Sequence, residues 1–240
     1  MGKASRDKRN RPATKIKKQR NPFPIVTTAA VVVIVAIIAV FFVVQTKSAQ
    51  APAQSPASSS VNQNTGAITV GKGKTVVDEY LDFGCPHCGA WFDKSHKTVE
   101  DLVKRDLVTL NIHPISILDN SFQGTKYSTR SASAAYCVAD TNPKVTYSYV
   151  SALFKDQPQE GTRGLTDKKL VALAKSVGAD KAAACITSGK YNDFVAARTK
   201  QTPIQDGAGG ISTPTLQLDG QFFSPSANVA DLKQVAESKK

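Results

Sequence analysis

Residues 67–240 of this chain predict an α/β sandwich interrupted by a helical insertion. A strand-length run at 75–83 (TVVDEYLDF) breaks at Gly84-Cys85-Pro86 into a helical period, and a second strand-like run follows at 108–115. Two strands joined by a crossover helix form a βαβ unit with a parallel pair. A long helical stretch then separates this half from an Asp-Gly hairpin and a closing helix, so a parallel half and an antiparallel half flank an inserted block.

Ahead of this domain the composition is strongly biased. The chain has 240 residues, 41% hydrophobic and 21% charged, with four cysteines and a net charge of +12, which excludes a wholly disordered chain, a collagen and a disulfide-dense miniprotein. Eight of the twelve excess positive charges fall in residues 1–20, where nine Lys and Arg face Asp7 alone. Such a tail suits nucleic acid or a membrane surface. The next segment favours the membrane over nucleic acid: residues 25–44 (IVTTAAVVVIVAIIAVFFVV) carry no charge, and about twenty apolar residues are what a helix needs to cross hydrocarbon. The expected organisation is a basic cytoplasmic tail at 1–22, a signal-anchor helix at 23–44 embedded in membrane lipid, and an extracytoplasmic domain, the Lys and Arg holding the N-terminus inside. Ala49-Gln50-Ala51 resembles a signal-cleavage site, but a cleaved signal has an apolar region of only about 7–15 residues. Residues 45–66, rich in Ala, Pro, Ser and Gln without periodicity, read as a flexible linker.

Within the domain, a short strand near 68–70 turns at Gly71-Lys72-Gly73 into the 75–83 run. Pro86 suits the first position of a helix, and Cys88, Phe92, Ser95, Val99 and Leu102 then share one face at 3.6-residue spacing. Beyond the 108–115 strand, helices are expected at 128–139, 143–155, 167–177, 180–188 and 190–206, an insertion of about 125–207 with Thr166 as an N-cap and Gly178 as a C-cap. Residues 215–218 and 222–223, separated by Asp219-Gly220-Gln221, read as a hairpin, and 228–238 as the last helix.

Cys85-Pro86-His87-Cys88 is a C-x-x-C at the point where a strand becomes a helix, the setting that makes this spacing a redox signal. Cys85 lies at the helix N-terminus, where unpaired amides and the macrodipole favour an anion, so its thiolate should form well below the free value of about 8.5. Cys85 is therefore the expected nucleophile. Pro86 contributes no N–H, and His87 adds positive charge. Cys88, one turn further on the apolar face, is expected to be more buried and to resolve a mixed disulfide. Zinc is the competing reading, yet a structural zinc needs four ligands and the other cysteines stand alone at 137 and 185. No metal is expected, and no cofactor besides the redox-active Cys85–Cys88 disulfide itself.

Alternation along the first long strand places Val77, Glu79, Leu81 and Phe83 on one face. Glu79 is then a carboxylate among apolar neighbours, with a raised pKa and a capacity to relay protons to Cys88; an edge-exposed Glu is the plainer alternative. Cys137 and Cys185, 48 positions apart in expected helices, suggest a structural disulfide in an oxidising compartment, against two buried free thiols. Gly73-Lys74-Thr75 ends like a P-loop, but Ile68 replaces its first glycine and a strand follows. His96 and His113 have no partner pattern and read as core or solvated histidines. Trp91 and Phe92 read as packing near the motif.

The segments EYLDFGCPHCGAWF (79–92) and ISTPTLQLDGQFF (211–223) together resemble the DsbA-like disulfide oxidoreductases of bacterial envelopes, over nearly all of 67–240. The resemblance implies a thioredoxin-like fold with a helical insertion, Cys85 as attacking and Cys88 as resolving cysteine, Glu79 as the buried acid, and Thr213-Pro214 as a cis-proline pair facing the disulfide. The CPHC motif is that of strongly oxidising members; the DsbA example has a thiolate pKa of about 3.5 and a potential of about −120 mV. A cis bond would present the Thr213 backbone to an incoming chain for strand-like pairing. Ser212 stands where members often have Gly, and the lysine often paired with the buried acid has no clear counterpart, His113 being the nearest. An anchor combined with a second cysteine pair resembles the Gram-positive, especially actinobacterial, versions.

These readings imply a membrane-tethered oxidase that introduces disulfides into reduced, translocated proteins and is reoxidised by a quinone-linked membrane protein of DsbB or VKOR type. A reductase or isomerase of the same fold is the first alternative. A thioredoxin-like module holding Cu(I) or Zn(II) is the alternative from a different class.

Overall fold

The computed structural model describes residues 54–239. β1 (Ile68–Gly71) leads through a short turn into β2 (Thr75–Leu81), in which Thr75, Val77, Glu79 and Leu81 are buried and the residues between them half-buried. α1 (Pro86–Lys104) crosses to β3 (Val108–Pro114), which lies parallel to β2 in a register running from Thr75↔Val108 to Leu81↔Pro114. The insertion comprises α2 (Tyr127–Thr141), α3 (Thr146–Lys155), α4 (Asp167–Ser176), α5 (Ala183–Ser188) and α6 (Asn192–Thr199). α2 is its hub and touches each of the other four helices, because its many Ala and Ser side chains let neighbouring backbones approach closely. The chain then returns through β4 (Thr215–Leu218) and β5 (Gln221–Phe222) to α7 (Val229–Ser238), which packs on α1. The sheet order β1-β3-β2-β4-β5 makes β2 the central strand. Asp219 (φ 49°) and Gly220 (φ 80°) form the hairpin turn between β4 and β5, left-handed at both positions as a type I′ turn requires.

Several boundaries differ from the sequence expectation. The last insertion helix is much shorter than 190–206. Gly189 (φ 61°) ends α5, and α6 stops at Thr199. Pro203 then offers no N–H, and glycines at 207, 209 and 210 leave the chain irregular up to β4. The expected helix at 143–155 opens as a 3₁₀ turn over Pro143–Val145.

The basic tail and the signal-anchor helix at 23–44 lie outside the described residues; among the described residues no helix is long and apolar enough to cross a membrane. The later part of the expected linker is fixed rather than free. Asp140 Oδ1 accepts the Ala57 and Ser58 amides (2.9 and 3.1 Å), Val61 is buried and bridges to Ile68, and the Tyr136 hydroxyl donates to Gly66 O (2.8 Å). Composition had suggested disorder because few of these residues are apolar. The ordering comes instead from side chains of α2 that satisfy the segment's backbone.

Candidate active site

β2 ends two residues earlier than its apolar run because Asp82 turns the chain: its carbonyl accepts the Cys85 N–H (3.0 Å) and its carboxylate accepts the Gly84 N–H (2.8 Å). Pro86 opens α1, leaving Cys85 as its N-cap residue. Cys85 is 4% exposed, Cys88 is fully buried, and both are free thiols. The two sulfurs are held very differently. A hydrogen bond from the Cys88 thiol, offset by burial and supported by the Cys88 and His87 amides, brings the Cys85 pKa down from 9.0 to about 7. Burial first, and then the neighbouring Cys85, push the Cys88 thiol well above its ordinary value. One sulfur is thus the better anion, and the other the better proton acceptor. Cys85 nonetheless stays well above the DsbA example of about 3.5; burial and the charge of Asp82 are what hold it up.

Thr213 closes the site from the opposite side. The Thr213–Pro214 peptide is cis, the Cys85 thiol lies 3.5 Å from Thr213 O, and Thr213 Oγ1 lies 3.0 Å from Cys88 Sγ. That hydroxyl also accepts the Asp82 N–H and donates to Tyr80 O, both at 3.2 Å. The loop before β4 is thereby tied to the end of β2. Pro86 and His87 are exposed and form the rim over the sulfurs.

Glu79 is buried on the α1 side of β2, where Trp91 Nε1 donates to its Oε1 (2.9 Å). Burial raises its pKa from 4.5 to about 7, and the Trp91 bond offsets part of that. His113 does not serve as its partner. It bonds Asp78 (2.9 Å) and stacks on Tyr80 (4.0 Å), residues whose side chains leave β2 on the opposite face from Glu79. Because folding raises the Glu79 pKa, the folded state binds the extra proton between about pH 4.5 and 7, and the associated stability fades as pH rises through 7. Glu79→Gln, which keeps an acceptor for Trp91 and cannot ionise, should therefore be more stable than the parent by about 3 kcal/mol at pH 8 and nearly equal to it at pH 4. Denaturant unfolding at the two pH values checks this; equal differences at both would show that folding leaves the Glu79 pKa unchanged.

Two residues of the site went unrecognised in the sequence. Asp82 is fully buried, its carboxylate accepting the N–H of Gly84 and its carbonyl that of Cys85; the available signal was a carboxylate inside an apolar run three positions before the motif. Gln157, just after α3, donates to Phe83 O (3.0 Å) and Cys85 O (2.9 Å), and a Cβ on Gly89 would sit 2.4 Å from its Oε1. Gly89 is therefore what lets the insertion clamp the redox turn, and nothing in the local sequence announces Gln157. Away from this site, Cys137 of α2 and Cys185 of α5 are joined by a disulfide, Cα to Cα 5.7 Å. Among the described residues no group of three or more His, Cys, Asp or Glu is placed to hold a metal ion.

A mixed sheet with a C-x-x-C at the start of its crossover helix, faced by a cis-proline, defines the thioredoxin-like class of dithiol proteins. The thioredoxin family model matches residues 63–237. Reduced DsbA from Mycobacterium tuberculosis superposes with a TM-score of 0.64 at 29% identity, covering 72% of this chain and 91% of that one. Reduced DsbG from the same organism gives 0.62 at 31%, covering 72% and 86%. MdbA of Actinomyces oris, 21% identical over 78% of this chain and 99% of its own, shares the fold at a TM-score of 0.60. The chain belongs to the thioredoxin family, among its DsbA-like thiol-disulfide oxidoreductases. It is also 35% identical over 143 residues to the serine/threonine-protein kinase PknE of M. tuberculosis, a match covering 58% of this chain and 25% of the kinase, so it spans about a quarter of that relative's length.

Proposed function

We propose that the protein works as an oxidase, introducing disulfide bonds into reduced, translocated proteins. The observation that carries this is the free Cys85–Cys88 pair at the start of α1, with Cys85 at the N-cap and Cys88 buried behind it opposite the cis Thr213–Pro214 peptide; the CPHC motif and the likeness to DsbA support the oxidising direction. A substrate thiolate attacks Cys85 Sγ; the Cys85–Cys88 bond breaks, and Cys88 leaves and takes a proton. A second substrate thiolate then attacks the substrate sulfur of the mixed disulfide, releasing Cys85 as a thiolate and the substrate as a disulfide. Two electrons pass to the Cys85–Cys88 pair, so this cycle uses no other cofactor. Thr213 O, close to Cys85 Sγ, offers an acceptor to an incoming chain, and Glu79 serves as a proton store near α1. A membrane reoxidase of DsbB or VKOR type restores the disulfide. The charge-free stretch at 25–44 behind a basic tail supports a single-pass anchor with the domain extracytoplasmic.

The test is the equilibrium of the full-length chain with glutathione, paired with refolding of a reduced, unfolded substrate. A potential above about −200 mV, with native disulfides formed in the substrate, is expected. A value near thioredoxin's, about −270 mV, would make the protein a reductase instead.

A further inference from the structure

We propose that Asp82 is a positioning residue whose charge governs how comfortably Cys85 leaves as a thiolate, so that reduction of the enzyme raises the proton occupancy of this carboxyl. The proposal deepens the dithiol chemistry above and rests on it. Asp82 is fully buried at the end of the central strand, and its carbonyl anchors the Cys85 amide. Its carboxylate accepts two amides, Gly84 N–H at 2.8 Å and Leu118 N–H at 3.0 Å, and among the described residues no Lys, Arg or His is paired with it. The other groups facing it are Cys85 from the redox turn, Asp119 from the turn after β3, and the Ser128 and Tyr127 hydroxyls from α2. Ser128 favours the ionised form without closing a well-formed hydrogen bond, and the buried Tyr127 hydroxyl has no partner.

A buried carboxylate with two amide donors and no cation is only partly compensated. Burial accordingly lifts Asp82 from 3.8 to about 6, and the Gly84 amide offsets part of the rise. Its negative charge in turn raises Cys85. Such coupling is reciprocal: whatever Asp82 does to the affinity of Cys85 for a proton, the Cys85 thiolate does to Asp82. In the disulfide form there is no thiolate, and Asp82 ionises more readily. When a substrate dithiol is oxidised it gives up two electrons and two protons. Cys88 keeps one proton, Cys85 remains anionic, and the second proton divides between Asp82 and solvent.

Asp82→Asn in the full-length chain removes the charge at nearly constant volume. The Cys85 thiolate, followed by its ultraviolet absorbance, should then titrate about one pH unit lower. Above about pH 8, where the Cys85 thiolate is largely formed in parent and variant, the equilibrium with glutathione should shift about tenfold toward the reduced enzyme, roughly 30 mV. A merely structural Asp82 would lower stability and leave both unmoved, and an unmoved Cys85 titration in the folded variant overturns the proposal. A second measurement needs no variant: in difference infrared spectra of the parent, the Asp82 carboxyl band should titrate at higher pH in the reduced than in the oxidised protein, and identical titrations overturn the proposal even if Asp82→Asn fails to fold. Neither titration uses a protein substrate, so failure of the parent to oxidise one would count against the proposed function and leave this coupling to be judged separately.

Discussion

Cys85→Ser is expected to abolish dithiol oxidation, a loss on the order of a thousandfold or more, because it removes one sulfur of the redox-active disulfide and leaves no Cys85–Cys88 bond for a substrate thiolate to break. Cys88→Ala should behave differently. It keeps the attacking cysteine and removes the group that resolves the intermediate, so mixed disulfides between Cys85 and substrate should accumulate. Non-reducing electrophoresis with an unfolded substrate that carries a disulfide distinguishes the two variants, because the Cys85 thiolate can attack that bond, keep one of its sulfurs and release the other as a thiolate without any added oxidant. Trapped adducts in Cys88→Ala and none in Cys85→Ser are the expected pattern. Adducts in the opposite variant would reverse the assigned roles, which rest on Cys85 being the N-cap residue of α1 and Cys88 lying fully buried one turn in.

The second large effect concerns stability and leaves the redox chemistry alone. Cys137 and Cys185 join the hub helix α2 to α5 across a separation of 48 residues. Constraining a loop of that length in the unfolded chain contributes about 4 kcal/mol in the chain-entropy model. Replacing both cysteines with Ala should therefore lower the unfolding free energy by about that amount in denaturant titrations, while Cys85 still forms adducts with substrate. A loss below about 1 kcal/mol would mean that the unfolded chain is already restricted, or that packing around α2 suffices alone. The double variant also leaves Cys85 and Cys88 as the only thiols, which simplifies every titration described above.

Much of the site was legible because its signals are local. The break from TVVDEYL into Gly84-Cys85-Pro86 marks a strand entering a helix whatever surrounds it, and the three-residue offset places Cys88 on the buried face of that helix. Alternation put Glu79 inward, but its partner was not legible. Trp91 reaches it from α1, whereas His113, one strand away, belongs with Asp78 and Tyr80 on the other face. Local pattern also misjudged the stretch before β1, where Asp140 and Tyr136 hold a polar segment that has little apolar surface of its own.

By itself the sequence determined the order of elements, the dithiol and its position at a helix start, since each depends on backbone preferences acting within a few residues. The tertiary structure alone decided the surroundings of the sulfurs. Asp82 holds the redox turn from the end of β2 and Gln157 clamps its carbonyls from just after α3, joining Thr213, which the resemblance already implied opposite the disulfide. Burial turns Asp82 into a charge that Cys85 feels. Charges interact strongly only where water is excluded, and which residues exclude it is settled when distant parts of the chain pack together.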